Sequence, residues 1–334
     1  MKTRIATIIG LILVGLVLLV VTGWGSLVLY YLAPGPRSVR SALAWCFVAL
    51  GVATVVALIV SRARTVLTIV FVVALALVVV VWRMATPSNS RDWQPEVAVL
   101  PYAVVDGDRV TVHNIRNFDY RTETDFTPAY YDRTFDLKRL KGVDLLAVYW
   151  MGPAIAHLFV SFDFGDDHLA VSIEARKDRT KPYATVPGFF RQYELVYIVA
   201  DERDVIRVRT NYRKSPPEEV YLFRVAGTPD RARRLFLDYI KDINEIREHP
   251  RFYNTLTTNC TTMILAHAAV NVGHLPYSWK VMLSGYAPEY AYDQGRLDRS
   301  MPFEELMRRS HINPAAQAAD KDPDFSKRIR AGLP

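Results

Sequence analysis

The sequence predicts an α+β protein: three transmembrane helices at the N-terminus, then a domain in which an antiparallel sheet packs on helices. Three observations carry this expectation. Long uncharged apolar runs crowd into the first quarter of the 334 residues. A pair of alternating segments around a Gly-Asp dipeptide has the pattern of a β-hairpin. Two later segments combine capping residues with apolar positions at helical spacing.

The apolar runs are 5–32, 41–61 and 65–82. Each is close to the roughly 18 to 20 residues that a helix needs to cross a bilayer core. Pro34, Gly35 and Pro36 separate the first two, and Arg62 and Arg64 separate the second from the third. Lys2 and Arg4 before an apolar core are also the pattern of a signal peptide. The first run is too long for that, lacks a small-residue cleavage site and is followed at once by two more spans. Three retained helices are therefore expected over 1–85, a linker over 86–100 and one domain over 101–334.

The net charge of +7 has a location. Residues 1–85 hold Lys2, Arg4, Arg37, Arg40, Arg62, Arg64 and Arg83 and no acidic residue, so the rest of the chain carries 34 basic and 34 acidic side chains. The basicity flanks the membrane spans, where it meets anionic head groups, and no basic groove for nucleic acid is indicated. Three spans put the N-terminus and the large domain on opposite sides of the membrane. The positive-inside count is tied and does not choose between them.

In the domain, "RVTVHNIRNFDYR", "GVDLLAVYWM" and "EEVYLFRVA" read as strands, and "RQYELVYIVADERDVIRVRTNYR" reads as two strands around a charged turn. A helix is expected after Gly227: Thr228 caps it, Pro229 suits the first position, and Leu235, Phe236, Tyr239, Ile240, Ile243 and Ile246 form one face, ending near Pro250. A loop through "HLPYSWK" and a short helix at "FEELMRR" complete the pass.

"HLFVSFDFGDDHLAVSIEAR" is the hairpin. With Gly165 and Asp166 as a two-residue loop, Phe162 pairs with Leu169, Val160 with Val171 and Leu158 with Ile173, which places six apolar side chains on one face. A one-residue slip would set them against His168, Ala170, Ser172 and Glu174, so the first register is favoured. On the opposite face His157 then stands across from Glu174. A carboxylate there fixes an imidazole tautomer and raises the basicity of its other nitrogen. His168 lies roughly 20 Å along the strand from His157, too far to share a metal, and no Cys or His spacing suggests zinc. No cofactor is expected.

The second chemical feature is Cys260 in "FYNTLTTNCTTMILAHAAV". A lone cysteine is most often inert packing. Here polar, cap-like residues precede it and apolar, helix-compatible residues follow, which puts it at a helix N-terminus. There the helix dipole favours the thiolate, and free N–H groups can meet an oxyanion. Cys260 and His157 together are the parts of a Cys-His nucleophilic site. Asn259, Tyr253, Ser172 and Arg176 are the candidate substrate or oxyanion contacts; Asn259 also reads as a plain cap, Tyr253 as loop support and Arg176 as a paired strand residue. His267, two turns beyond Cys260, reads as a core or surface histidine.

"HNIRNFDYRTETDFTPAYYDRTFDL", "AHLFVSFDF", "LAVSIEARK", "ADERDVIRVRTNYR", "FYNTLTTNCTT", "SGYAPEY" and "DPDFSKRIR" occur in order between His113 and Arg330. Together they resemble the Lnb-type N-terminal periplasmic domain family. The resemblance implies a papain-like, permuted NlpC/P60-related core in a bacterial inner-membrane protein, with the domain on the periplasmic face. It also implies a lipoprotein N-acyltransferase activity, with Cys260 as nucleophile and His157 as base; Glu174 is added from the hairpin register. Permuted papain-like acyltransferases often place two histidines before the cysteine, and His168 has that spacing but, by register, the wrong position.

The expected reaction moves an acyl chain from a phospholipid through a Cys260 thioester to the N-terminal amine of a lipoprotein. A Cys-His hydrolase acting on cell wall or lipid, and a non-catalytic membrane-tethered assembly module with Cys260 as packing, are the alternatives.

Overall fold

The structure is a computed structural model that describes residues 2–60, 63–272, 276 and 278–334. The expectations for Ser61 and Arg62, and for His274, Leu275 and Tyr277 in the "HLPYSWK" loop, lie outside those residues. The chain divides into two compact units, Met1–Pro87 with Ala184–Gln192, and Ser88–Tyr183 with Tyr193–Pro334.

The first unit contains three long helices, α1 (Lys2–Leu32), α2 (Arg37–Val60) and α3 (Arg64–Met84), each long and apolar enough to span a membrane. Apolar side chains such as Ile12, Val20, Trp45 and Ile59 stay exposed, as a surface solvated by lipid requires. α1 and α2 approach closely at two glycines: a β-carbon on Gly25 would collide with Phe47, and one on Gly51 with Thr22. Small residues allow such approach where helix association depends on packing. The segment Ala184–Gln192, which contains the short helix α4 (Thr185–Gly188), belongs to this unit. Phe190 stacks on Tyr31 with ring centroids 5.4 Å apart, and Arg191 donates to the Trp82 carbonyl at 2.8 Å while lying over the Trp82 ring.

The second unit is α+β. Its strands are β1 (Tyr102–Asp106), β2 (Arg109–Arg116), β3 (Asp119–Tyr120), β4 (Phe126–Thr127), β5 (Tyr130–Asp136), β6 (Gly142–Tyr149), β7 (Ala156–Asp163), β8 (His168–Arg176), β9 (Glu194–Ala200) and β10 (Glu219–Arg224). The main sheet runs β1-β2-β9-β8-β7-β6-β10 with β5 added on β2, and β3 pairs with β4. All pairings are antiparallel except a single parallel bridge between β2 and β9.

One face of the sheet packs on α6 (Pro229–Glu248) and α7 (Cys260–Val272). Thr228 caps α6 by accepting from Arg231 N–H. The apolar hairpin stripe of Leu158, Val160, Phe162, Leu169, Val171 and Ile173 is buried here with Phe236, Tyr239, Ile240 and Ile243. The other face is covered late in the chain. After α8 (Trp279–Met282), α9 (Ala287–Asp293) and α10 (Phe303–Arg309) come α11 (Asn313–Ala318) and α12 (Phe325–Arg328). From these last two helices and the turns beside them, Ile312, Ala316, Phe325 and Ile329 pack on Phe159, Ala170, Val196 and Ile198.

Two expectations change. The second strand read in "ADERDVIRVRTNYR" is instead α5 (Glu202–Val205) followed by a π-helical turn over Val208–Tyr212. Asp201 caps it by accepting from Arg203 N–H at 2.9 Å, and the helical turn points Glu202 and Asp204 inward to arginines that a strand would not reach. The stretch read as a linker over 86–100 is not a spacer. From Ser88 it belongs to the second unit, with Trp93 and Val97 buried in its core.

The second face buries charge as well as hydrocarbon. Arg330 donates to Asp144 at 2.9 Å and to both Glu202 oxygens at 2.6 and 2.8 Å, and Ser161 donates to Glu202 at 2.5 Å. Burial alone would raise the Glu202 carboxyl, but Arg330 overrides it and holds the group at about 2. Removing one partner of such a group strands the other charges in a dry interior. Arg330→Ala is therefore expected to destabilise the second unit by about 3–5 kcal/mol. At roughly 2–4 °C per kcal/mol, the thermal midpoint of the full chain in detergent should fall by about 10 °C; an unchanged midpoint refutes the assignment.

Candidate functional site

The hairpin forms in the register that buries its apolar stripe: Phe162 pairs with Leu169, Val160 with Val171, and Asp163 with His168. Gly165 takes the left-handed φ of +92° that the two-residue loop demands, and Phe164 N–H closes the turn on the Asp167 carbonyl at 2.8 Å. The β7–β8 ladder ends at Phe159 and Ser172, whereas β7 stays paired with β6 out to Ala156. The hairpin thus opens at its base, where His157 and Glu174 sit.

That opening modifies the expected His157–Glu174 contact. The two groups are 3.7 Å apart, and Ser172 stands between them. Ser172 Oγ donates to Glu174 Oε1 at 2.8 Å and lies 2.7 Å from His157 Nε2. The single hydroxyl proton is committed to the carboxylate, so Ser172 accepts from His157. The imidazole is held as the Nε2–H tautomer, and the lone pair is on Nδ1.

Arg209, from the π-helical turn, completes the chain: it donates to Glu174 at 3.1 Å and to Glu218 at 3.4 Å, and Arg213 donates to Glu218 at 2.8 Å. Burial would raise the Glu174 carboxyl, but Arg209, with His157 adding to it, drives it well below the ordinary range. For His157, burial and then the Arg209 charge outweigh Glu174 and lower it to about 3. The imidazole is neutral at physiological pH. Arg209 carries no local sequence signal beyond being one of several arginines near strands, because its role depends on the helical turn that replaces a strand.

Cys260 is the first residue of α7. Asn259 is its cap: Oδ1 accepts from Thr261 and Thr262 N–H at 2.9 and 3.0 Å, and Nδ2 donates to Thr255 at 2.7 Å. Asn254 organises the preceding loop by accepting from Leu256 and Thr257 N–H. Burial raises the Cys260 thiol above its ordinary value, while Leu158 N–H and Thr261, both directed at the sulfur, pull the other way. Thr261 Oγ1 is 3.9 Å from Sγ.

Leu158 directly follows His157. His157 reaches the site from the Phe159 face of the sheet, stacked on that ring at 5.8 Å, and Cys260 reaches it from the α7 face. Leu158, the next residue of β7, is the link to the thiol, since its N–H is the backbone group that acts on the sulfur; no hydrogen bond joins sulfur and imidazole directly. The "SGY" turn anchors this end: Ala156 N–H donates to Ser284 Oγ at 3.0 Å, and Gly285 N–H to the Ala154 carbonyl at 3.0 Å. A β-carbon on Gly285 would collide with Pro153, so glycine is required there.

The remaining expected contacts divide. Tyr253 is buried beside the site; burial and then the Cys260 charge raise its hydroxyl. Arg176, expected as a substrate contact, is fully engaged elsewhere. It donates to the Val97 and Ala98 carbonyls and to Asn89 at 2.7–2.9 Å and lies 4.2 Å from the Trp93 ring centre. It shares the Glu174 face of β8 by strand alternation, but at the end of the strand it meets the 88–100 segment, where Trp93 and Val97 are buried. His168 pairs with Asp163 near the turn, away from His157. His267 is buried between Asp238 at 2.7 Å and Tyr197 at 2.6 Å.

No curated protein and no solved structure matches the chain. The three candidate membrane spans precede a segment whose family is defined by a periplasmic domain. Residues 126–285, which include the hairpin with His157, Ser172 and Glu174, the turn with Arg209 and the start of α7 with Cys260, match the family model described as the Lnb N-terminal periplasmic domain.

Proposed function

We propose that the protein is a membrane-anchored cysteine acyltransferase of the bacterial inner membrane. It would move an acyl chain from phospholipid to the N-terminal amine of a lipoprotein, with the catalytic domain on the periplasmic side. The observations that carry this reading are the His157–Ser172–Glu174–Arg209 chain, which leaves Nδ1 as the only basic nitrogen of the imidazole, and the N–H of the adjoining Leu158, which acts on the Cys260 thiol. A half-buried histidine held neutral, with its tautomer fixed, and a thiol at a helix start are the parts that a general base and nucleophile require.

In the first half-reaction Nδ1 takes the Cys260 proton and sulfur attacks the ester carbonyl. The carbon–sulfur bond forms, and the tetrahedral oxyanion is stabilised by N–H groups such as that of Leu158. The ester carbon–oxygen bond then breaks, and the leaving alkoxide takes the proton from His157. In the second half the amine attacks the thioester, gives its proton through Nδ1, and the Cys260 thiolate departs and is reprotonated. Glu174 stays ionised throughout and, through Ser172, stabilises the imidazolium that forms in each half. The transmembrane helices supply the lipid setting. A hydrolase would share the first half-reaction and use water in the second.

Three measurements test the reading. Incubated with phospholipid carrying a labelled acyl chain and no amine, the full-length protein should acquire a hydroxylamine-sensitive label that Cys260→Ser abolishes; label retained by that variant sinks the proposal. Ser172→Ala should slow acyl-enzyme formation at least about tenfold while leaving Cys260 alkylation at high pH, which needs no proton acceptor, at its original rate.

The pH dependence follows from the two shifts. The thiol is raised and the imidazole lowered to about 3, so the resting pair is neutral rather than thiolate–imidazolium. Iodoacetamide alkylation should climb about tenfold per pH unit from pH 6 through neutrality, because the thiolate accumulates only as pH rises toward the raised value. Acylation should hold its rate well below pH 6.5, where an ordinary histidine would already be protonated. A flat alkylation rate between pH 5 and 8 would reveal a preformed ion pair.

A further inference from the structure

Beside Cys260 lies an apolar, partly open cavity of about 160 Å³, lined by β6, β7, α6, α7 and α9. Its α7 wall is Thr261, Ile264, Leu265, Ala268 and Asn271, one continuous stripe of a helix. Ten residues at ~1.5 Å rise make it roughly 15 Å long. Leu158 and Val160 form the sheet wall, and Tyr239 and Ala291 close the sides. The cavity starts at the sulfur's own neighbours: Leu158 and Thr261 line it, and both direct donors at Cys260.

A space of this volume corresponds to on the order of ten water-sized groups, but its walls offer water few partners along most of its length. One polar atom stands out. Tyr239 is completely buried, and among the described residues its hydroxyl has no hydrogen-bond partner. Its ring is held by stacking on His267 at 3.9 Å. A buried donor without a protein acceptor calls for a partner, and it lies at the wall of a cavity that begins beside a nucleophile.

We propose that this cavity holds the fatty-acyl chain carried by Cys260, with the carbonyl end at Leu158, Thr261 and Tyr239 and the tail along α7 toward Asn271. The proposal rests on the cysteine acyltransferase reading and names the part of the donor that the site selects. An apolar tube roughly 15 Å long accepts about a dozen carbons at roughly 1.3 Å advance per ~1.5 Å bond. Its wall offers a single-chain ligand apolar surface in place of water, whereas a peptide threaded there would strand its backbone N–H and C=O groups. Arg231, Gln294 and Arg296 line the far end, which gives the tube a polar limit.

The test is chain-length selectivity of the full-length protein in detergent. Acylation of Cys260 by p-nitrophenyl dodecanoate and p-nitrophenyl acetate is followed by intact mass and by p-nitrophenol release. The dodecanoate-to-acetate rate ratio should exceed one and should fall about tenfold in Ala268→Phe, which puts a ring in the tube; an unchanged ratio overturns the proposal. If that variant reacts with neither ester, Ala291→Leu, from the opposite wall, decides by the same ratio. If neither ester acylates Cys260 in the unaltered protein, the acyltransferase reading has failed. The cavity is then judged by photolabelling with diazirine-bearing dodecanoate: adducts mapped to residues 264–268 and 291–297 support a lipid chain there, and adducts confined to α1, α2 and α3 overturn it.

Discussion

The second unit depends on the register of one hairpin. Burying Leu158, Val160 and Phe162 against α6 and α7 leaves β7 and β8 no freedom in what they present on the other face. That face receives His157, Ser161, Ser172 and Glu174, polar groups that must also be taken out of water. The chain answers with arginines from distant segments. Arg330 from its last residues neutralises Asp144 and Glu202, Arg209 from the π-helical turn pairs Glu174 and Glu218, and Arg116 from β2 makes a two-pronged contact with Asp204 at 2.7 and 3.0 Å. Buried charge of this kind is weak evidence for stability, because desolvation opposes it. Its effect is on position: each carboxylate has one place where its charge is met.

The chemistry at the hairpin base grows from the same arrangement. Glu174 is kept ionised by Arg209 and spends part of that charge on Ser172, whose hydroxyl then has only acceptor capacity left for His157. A direct imidazole–carboxylate pair would raise the histidine toward protonation at neutral pH. With the serine interposed and a cation behind the carboxylate, the tautomer is fixed while the ring stays neutral. Cys260 has the complementary environment, a half-buried thiol at the start of a helix whose Thr261 and Thr262 N–H groups are satisfied by Asn259. The free donor that the helix terminus might have offered is therefore largely supplied from the sheet, by Leu158.

The membrane unit follows simpler physics. Its helices keep apolar surface outward and meet through Gly25, Gly51 and aromatic side chains such as Phe47 and Phe71, which stack at 5.3 Å. The segment Ala184–Gln192 carries no hydrophobic run of its own, yet Phe190 and Arg191 give it two anchors among those helices. No periodicity in nine residues could have announced that.

By itself the sequence determined the three spans, the hairpin register, the Thr228-capped helix and the placement of Cys260 at a helix start. Each of these is set by local patterns, run length, alternation and capping, that act over fewer than about 30 residues. It also put His157 and Glu174 on one face of the hairpin, because strand alternation leaves no other choice. Only the tertiary structure decided that Ser172 stands between them, that Arg209 meets Glu174 while Arg176 turns to the 88–100 segment and not to a substrate, and that Arg330 closes the core from the far end of the chain. Those outcomes turn on where the hairpin ladder opens and on which distant arginine meets a buried carboxylate. They are settled by the cost of leaving a charge unpaired in a dry interior, a quantity that no short stretch of sequence records.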